Sequence, residues 1–161
     1  MKLNGLAKGL RIGAVLFVAT LSATSAVAGV KNMAVVVSSG SKLSDIALAD
    51  LTKLCKGAQK TWPDGKDFTI VMKDPESPDM RVVVQKLFGG TPGEIKAAIA
   101  KLNESRTMVK IVETDDDLLR AVGAIPGAVG FLDVYSINSS VKVLRLDGKL
   151  PFDLGYALKG N

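Results

Sequence analysis

Histidine is missing from this chain of 161 residues, and cysteine and tryptophan occur once each. Without histidine there is no imidazole to act as a general base, to ligate zinc, or to activate a serine or cysteine nucleophile. Neither a glycine-rich loop of the nucleotide-binding type nor a GxGxxG motif is present. The sequence therefore predicts a protein that is not an enzyme and that has no catalytic residue, cofactor or metal.

The charge of the chain argues against nucleic acid as a partner. The 21 basic and 16 acidic residues give a formal net charge of +5, but three of the basic residues lie within the first eleven positions. Without those three, 18 basic residues oppose 16 acidic ones, a net charge of +2. The chain also lacks a basic run interleaved with aromatic residues, which is the pattern expected of a nucleic-acid surface.

The first 28 residues have the three parts of a secretory signal peptide. Basic residues precede the apolar stretch IGAVLFVATL, and the Ala-Val-Ala sequence at 26–28 offers a cleavage site before Gly29. The alternative is an uncleaved membrane anchor, but this stretch of ten residues is shorter than the roughly 20 that span a bilayer. We therefore predict a cleaved signal peptide over 1–28, a domain over 29–161, and a periplasmic or secreted protein.

The lone cysteine and the lone tryptophan are both predicted to lie in the core. Cys55 excludes an internal disulfide, although a free thiol could join two chains and so leaves a homodimer open. Cys55 continues an apolar helical stripe with Leu48 and Leu51, and free cysteine is among the most buried residue types. For Trp62, ligand contact is the alternative to a place at the edge of the core, where a tryptophan at a helix–turn corner more often packs.

Apolar runs and helical stripes alternate along the chain and predict an α/β fold. Runs typical of buried strands predict strands over 33–37, 68–72, 108–112, 128–134 and 141–146. The segments between them have apolar residues at helical spacing and predict helices that start at the capping residues Ser44, Ser77, Thr91 and Asp115. We therefore predict a mixed sheet with helices on both faces.

One position in this pattern suits a small anion. The strand that ends near Lys73 leads through a polar turn to Ser77, which opens a helix, and helix N-termini offer free N–H groups to anions. The alternative is that Ser77 only caps its helix, which is favoured by three acidic residues opposing two basic ones there and by Pro78, which lacks an N–H. Ser38 and Ser39, after the first predicted strand, complete the set of candidate ligand-binding residues.

Three consecutive aspartates, Asp115 to Asp117, suggest a metal site as an alternative to capping. Carboxylates at the start of a helix are already explained by N-capping and by the helix dipole. We therefore predict no metal ligands among them.

Four motifs follow one another in the stretch from about Met33 to Gly148: LADLTKLCKG, WPDG, the strand that ends at Lys73, and PGAVGF. They resemble the L-x-x-I-F-x-G, W-x-D-G, R-S-x-x-S-G-T and P-G-A-I-G-Y motifs of the phosphate-type periplasmic solute-binding proteins of ABC transporters. The resemblance implies a type II periplasmic-binding-protein fold. Because full binding proteins close two lobes around a solute, a chain of this length implies a single main lobe.

The resemblance also implies which residues would contact phosphate. Lys73 stands at the family's arginine and Ser77 at the second serine of its anion loop, while Pro78 replaces the glycine and Asp79 the threonine. Lysine lacks the bidentate fork of arginine, and Pro78 removes an N–H donor. Asp79 places a carboxylate where the charge of the ligand would lie, which would repel a dianion.

Two functions follow from the resemblance. The first is a non-enzymatic solute-binding protein for a small oxyanion such as phosphate, linked to an ABC permease, and it rests on the export signal, Lys73 and Ser77. The alternative is an envelope protein–protein interaction or accessory module that keeps the fold without binding a ligand. It rests on Pro78, Asp79 and the missing lobe.

Overall fold

The centre of the structure is a five-stranded sheet. A computed structural model describes residues 31–160, so the predicted signal peptide (1–28) lies outside the described residues. The strands are β1 (Met33–Ser38), β3 (Thr69–Met72), β4 (Val109–Ile111), β5 (Ala128–Asp133) and β6 (Val141–Val143). Their order is β4-β3-β5-β1-β6. β1 runs antiparallel to β5 and β6, whereas β3 is parallel to β4 and β5, which confirms the predicted mixed sheet.

Helices cover both faces of this sheet, as predicted. They are α1 (Leu48–Cys55), a mixed helix over 78–88 whose central part is α2 (Arg81–Val83), α3 (Pro92–Leu102) and α4 (Asp115–Ala124). α1, the mixed helix and α3 pack on the face that carries Met33 and Phe131. α4 packs on the other face, against Ala34 and Leu132. Within residues 31–160, no helix combines the length and apolarity needed to cross a membrane.

β1 illustrates why a continuous apolar run forms a central strand. Successive side chains point to opposite faces, so Met33, Val35 and Val37 enter one core, while Ala34 and Val36 enter the other. All five are at most 2% exposed. Each fully buried aliphatic side chain of this size contributes about 1.5–3 kcal/mol, which fixes both the register and the place of β1 between two strands.

The mixed helix changes its hydrogen-bonding pattern twice along its length. It begins as a 3-10 helix over Pro78–Met80, continues as α2, and ends as a π-helix over Val84–Phe88. Gly89 ends it in the left-handed conformation, with φ of 72°, which glycine adopts without a steric penalty. The helix predicted to follow Ser77 is confirmed.

Of the predicted helix caps, the structure confirms Thr91 and corrects Asp115. Thr91 caps α3 as predicted and forms a capping box, since its N–H donates to Glu94 Oε2 (2.8 Å) and its Oγ1 accepts from the Glu94 N–H. For α4, however, the cap is Thr114, whose Oγ1 accepts from the Asp117 N–H at 3.1 Å. Asp115 was predicted to be that cap, and it is the first residue of α4 instead.

The start of α1 also differs from the prediction. Ser44 does not cap a helix, because Asp45–Ile46 forms a short strand, β2, parallel to β7 (Arg145–Leu146). α1 begins at Leu48, whose N–H donates to Asp147 Oδ1 at 2.9 Å. A carboxylate 99 residues away along the chain thus takes the role that the sequence assigned to a neighbouring serine.

The two lone residues are buried, as predicted. Cys55 is fully buried, and this burial raises the pKa of its thiol. Trp62 is 2% exposed; its Nε1 donates to the Gly127 carbonyl at 2.8 Å, and its ring meets Phe68 edge-on with centroids 5.0 Å apart. Gly127 has φ of 76°, and a Cβ there would lie 2.0 Å from the Asp67 carbonyl oxygen, so only glycine fits this close approach.

The chain after β7 packs on the domain without forming a regular element. Residues 150–160 contain neither helix nor strand, but Tyr156 and Leu158 are buried. The Met33 N–H donates to the Leu158 carbonyl at 3.1 Å, and the Tyr156 hydroxyl donates to the Met33 carbonyl at 3.1 Å. The last described residues are therefore bonded to the beginning of β1.

Candidate functional site

The strand directions place the candidate ligand-binding residues at opposite edges of the sheet. Lys73 follows β3, and Ser77 precedes the mixed helix at the same edge. Ser38 ends the antiparallel strand β1, so Ser38 and Ser39 lie at the other ends of β3 and β5. β1 is six residues long, which separates the two edges by roughly 17 Å at about 3.3 Å per residue. The structure therefore does not bring the four residues into one site, and a ligand-binding role for any of them stays a prediction.

The Lys73 ammonium is held by two carboxylates of the chain itself. Its Nζ lies 2.5 Å from Asp79 Oδ2 and 2.8 Å from Asp115 Oδ1, and the side chain is 12% exposed. The contact with Asp79 is a hydrogen bond. The contact with Asp115 is an ion pair that lacks hydrogen-bond geometry, so this Oδ1 is buried without a hydrogen-bond partner. Two negative charges thus lie where an anion bound to Lys73 would place its own.

One more lysine and one more aspartate extend this contact. Lys31 Nζ lies 3.2 Å from Asp79 Oδ1 and 3.3 Å from Asp133 Oδ2. The charged cluster, as we call it, consists of Lys31, Lys73, Asp79, Asp115 and Asp133. Its two ammonium groups and three carboxylates give it a formal charge of −1.

Burial and ion pairing act in opposite directions on the pKa values in this cluster. Burial alone would raise the pKa of Asp79, but hydrogen bonds from Lys73 and Lys31 outweigh it and hold this pKa below its usual value. Burial also acts to raise the pKa of Asp115, while Lys73 and the Ser136 hydroxyl, which donates to Oδ2 at 2.5 Å, bring a net decrease. Burial acts to lower the pKa of Lys73, but Asp115 and Asp79 raise it above its usual value. Both aspartates and the lysine are therefore charged at neutral pH.

Ser77 stands directly before the mixed helix but does not cap it. Its side chain forms no capping hydrogen bond, so the capping interpretation is wrong. The hydroxyl is buried and has no hydrogen-bond partner among residues 31–160. An unpaired buried polar group costs about 1–3 kcal/mol, so this hydroxyl is an unsatisfied donor.

The opposite edge has a cavity with both polar and apolar lining residues. Ser38 lines a space of about 250 Å³ together with Trp62, Asp64 and Lys66, whereas Ser39 is exposed and does not line it. Lys66 Nζ lies 3.3 Å from Asp64 Oδ2, so the two charges of this cavity compensate each other. The cavity therefore offers hydroxyl groups but no net charge that would attract an anion.

Sequence reasoning missed Lys31 and Asp133 and gave Asp115 another role. A signal for the two aspartates was nevertheless present, because Asp133 ends β5 and Asp115 follows β4, and both strands run parallel to β3. The carboxyl ends of parallel strands meet at one edge of a sheet, which is where Lys73 lies. Lys31 reaches the same edge because it precedes the antiparallel strand β1.

The fold is shared with solved structures of phosphate-binding proteins. An ABC-type phosphate transport receptor from Vibrio cholerae aligns with 75% of this chain at 17% sequence identity and a TM-score of 0.59. The PstS protein from Borrelia burgdorferi aligns with 81% of this chain at 15% identity and a TM-score of 0.63. The chain shares the fold of about half of each of these two proteins. The predicted fold class is therefore confirmed.

The alignments cover only part of each neighbour. A putative phosphate ABC transporter substrate-binding protein from Clostridium perfringens, solved with bound phosphate, matches at 14% identity with a TM-score of 0.58. This chain covers 48% of the Vibrio protein, 55% of the Borrelia protein and 47% of the Clostridium protein, and so spans about half their length. Identities this low establish the fold alone. No family model and no curated protein matches the chain.

Proposed function

We propose that this chain is an exported, non-enzymatic protein of the solute-binding class, linked to an ABC uptake system, that acts by contacting other envelope proteins. In this proposal it does not take up phosphate at Lys73. The observation that carries the proposal is the occupation of Lys73 by Asp79 and Asp115, at 2.5 and 2.8 Å. The fold shared with ABC-type receptors supports the link to transport.

A phosphate dianion at this position would have to displace both aspartates. It would replace the charge-assisted hydrogen bond to Asp79, worth about 1.5–3 kcal/mol, and the ion pair with Asp115. It would also leave two partly buried carboxylates beside its own charge. Two like charges 4 Å apart repel by about 4 kcal/mol at an effective dielectric constant of 20. The charged cluster, with its formal charge of −1, therefore disfavours the binding of an anion.

Exposed aromatic side chains at the same edge supply a surface for a protein partner. Tyr135 lies two residues after the end of β5 and is 86% exposed, and Phe152 is 66% exposed. Their ring centroids lie 6.3 Å apart, so they form one patch. Leu154, two residues after Phe152 in the sequence, is 92% exposed. Aromatic residues are enriched in protein–protein interfaces, and in this proposal the patch contacts the permease or another envelope protein.

Two measurements test this proposal. In a thermal-shift series with phosphate, sulfate, molybdate and small carboxylates at millimolar concentration, we expect no change in the Tm of the purified protein.

A photo-crosslinking amino acid at position 135 in cells should form an adduct with an envelope protein, whereas one at Asp64, in the exposed turn at the opposite edge, should not. A homodimer, left open by the sequence, would appear as an adduct of two copies. Equal labelling from both positions, or a phosphate shift of several degrees that Lys73→Ala removes, would overturn the proposal.

The second candidate function is an oxyanion receptor, as first predicted from the sequence. The buried, unpaired hydroxyl of Ser77, four residues after Lys73, is the specific observation in its favour. In this case the ligand would receive a hydrogen bond from Ser77 and would compete with Asp79 for the ammonium.

The variant Asp79→Thr tests whether Asp79 keeps phosphate away from Lys73. It removes one carboxylate from Lys73, changes the formal charge of the cluster from −1 to 0, and restores the residue type of the family's anion loop. If Asp79 keeps phosphate out, we expect the variant to bind phosphate at least tenfold more tightly than the unaltered protein in calorimetric titration. The matched control is Asp50→Thr, which also removes one negative charge, but from an exposed ion pair on α1. It should leave phosphate binding unchanged. Equal affinity of Asp79→Thr and Asp50→Thr for phosphate would show that Asp79 does not prevent phosphate binding.

A further inference from the structure

We propose a binding site for a single-chain amphipathic carboxylate, in the groove between α1, the mixed helix and α3. The groove has a volume of about 510 Å³, which is within the range of about 300–1,000 Å³ typical of small-molecule sites. This inference is independent of the proposed function, because it concerns other residues and another part of the domain.

The floor of the groove is apolar. Phe88 from the end of the mixed helix, Ile95 and Leu102 from α3, and Met108 line it, together with Cys55 from α1. These side chains belong to the larger core cluster or pack against it, so the floor is supported from below by packed residues. A flexible hydrocarbon chain laid along it would remove apolar surface from water, at about 25 cal/mol per Å².

The rim of the groove is positively charged. Lys56 at the end of α1, Lys60 in the following loop and Lys101 near the end of α3 line it, against one acidic residue, Glu104. Within the described chain, none of the three ammonium groups forms a salt bridge with a carboxylate. Lysine side chains rest their methylene stems on apolar surface and keep the charged end in water, so these three are able to meet a carboxylate at the mouth of the groove.

The combination of floor and rim selects the ligand class. Inorganic phosphate would gain nothing from the apolar floor, and a neutral hydrocarbon would gain nothing from the lysines. A carboxylate on an unbranched alkyl chain satisfies both. The groove also lies away from the charged cluster, because Met108 precedes β4, whereas Lys73 follows the parallel strand β3.

Decanoate below its micelle concentration is the probe that tests this site. Calorimetric titration should show saturable binding of decanoate, at least tenfold weaker binding of decanol, and no binding of acetate. Ala98 is an exposed residue of α3 that lines the groove, so Ala98→Trp should fill it and weaken decanoate binding at least tenfold. The matched control is Ala97→Trp, which alters the neighbouring exposed position of α3 outside the groove and should bind as the unaltered protein does.

A second set of variants tests the rim without adding bulk. Replacing Lys56, Lys60 and Lys101 together by glutamine should weaken decanoate at least tenfold and leave decanol unchanged. Decanoate binding that survives Ala98→Trp, or that is lost equally in Ala97→Trp, would overturn the proposal. Binding of anionic phosphatidylglycerol vesicles without any response to free decanoate would also overturn it, since the surface would then recognise a membrane and not a single-chain carboxylate.

Discussion

Replacing Trp62 by alanine is expected to lower the free energy of unfolding by about 3–5 kcal/mol, the usual cost of truncating a buried large aromatic residue. The ring is 2% exposed and packs edge-on against Phe68. The variant also removes the hydrogen bond from Nε1 to the Gly127 carbonyl. A cavity arises, and the Gly127 carbonyl loses the shorter of its two hydrogen bonds while it still accepts from the Thr69 N–H at 3.3 Å.

The measurement is urea denaturation followed by far-UV circular dichroism, since the variant removes the only tryptophan of the chain. Trp62→Phe is the matched control. It keeps an aromatic ring against Phe68 and loses the hydrogen bond to Gly127, so it should cost about 1–3 kcal/mol. A Trp62→Ala protein within 1 kcal/mol of the unaltered one would contradict the role of this side chain in joining the WPDG turn to the start of β5.

Lys73→Met is expected to lower the free energy of unfolding by about 2–4 kcal/mol at pH 7. Removing one member of a buried ion pair costs about 3–5 kcal/mol because the remaining charge has no partner. Here two carboxylates lose Lys73, but Asp79 keeps its contact with Lys31. Both side chains are also about a quarter exposed (24% and 26%), which lowers the cost. Methionine preserves the length and the apolar stem of the side chain, so the charge is the main change.

The chain offers a matched control for this variant. Lys96 also contacts two carboxylates, those of Asp74 and Glu76, at 3.1 and 2.6 Å, but all three side chains are exposed, by 41%, 51% and 61%. Exposed pairs contribute about 0–1 kcal/mol. Lys96→Met should therefore leave the free energy of unfolding within about 1 kcal/mol of the original value, and an equal loss in both variants would contradict the structural role of Lys73.

The pH dependence of the Lys73→Met effect has a defined sign. Folding lowers the pKa of Asp79 and Asp115, so their contribution to stability is complete above their unfolded pKa and is lost as the pH falls through the lower folded pKa. Without Lys73 the two carboxylates repel each other, and protonation relieves the repulsion. The difference in the free energy of unfolding between the unaltered protein and Lys73→Met should therefore become smaller as the pH falls from about 5 to about 3. A constant difference over this range would show that the loss is one of packing and not of charge.

Local patterns predicted those parts of the fold that depend on neighbours in the sequence. The buried run of β1, the Thr91–Glu94 capping box and the left-handed Gly89 each follow from a few adjacent residues, and all three appear in the structure. The burial of Cys55 and Trp62 was predictable for the same reason. Each of these features is decided by side-chain period or by backbone conformation, which the sequence displays directly.

Features that depend on distant residues were not predictable in this way. Ser44 looked like a helix cap, but Ile46 pairs with Leu146, and the cap of α1 is supplied by Asp147. The candidate anion position illustrates the same point. The resemblance placed the Asp79 carboxylate at this position, whereas the second partner of Lys73 comes from the start of α4 and becomes visible only once the strand order is known.

The order of strands has a consequence for how a nascent chain completes this domain. β1 is the first element of the described chain, yet its only partners are β5 and β6, and the last residues bond back to Met33. Until those segments emerge, the earliest strand has neither edge satisfied, and such open edges favour association with other chains. Pairings between distant segments also form slowly. The sheet therefore cannot form in the order in which its strands are synthesised. The native topology forms only after the C-terminal segments that pair with β1 have been synthesised.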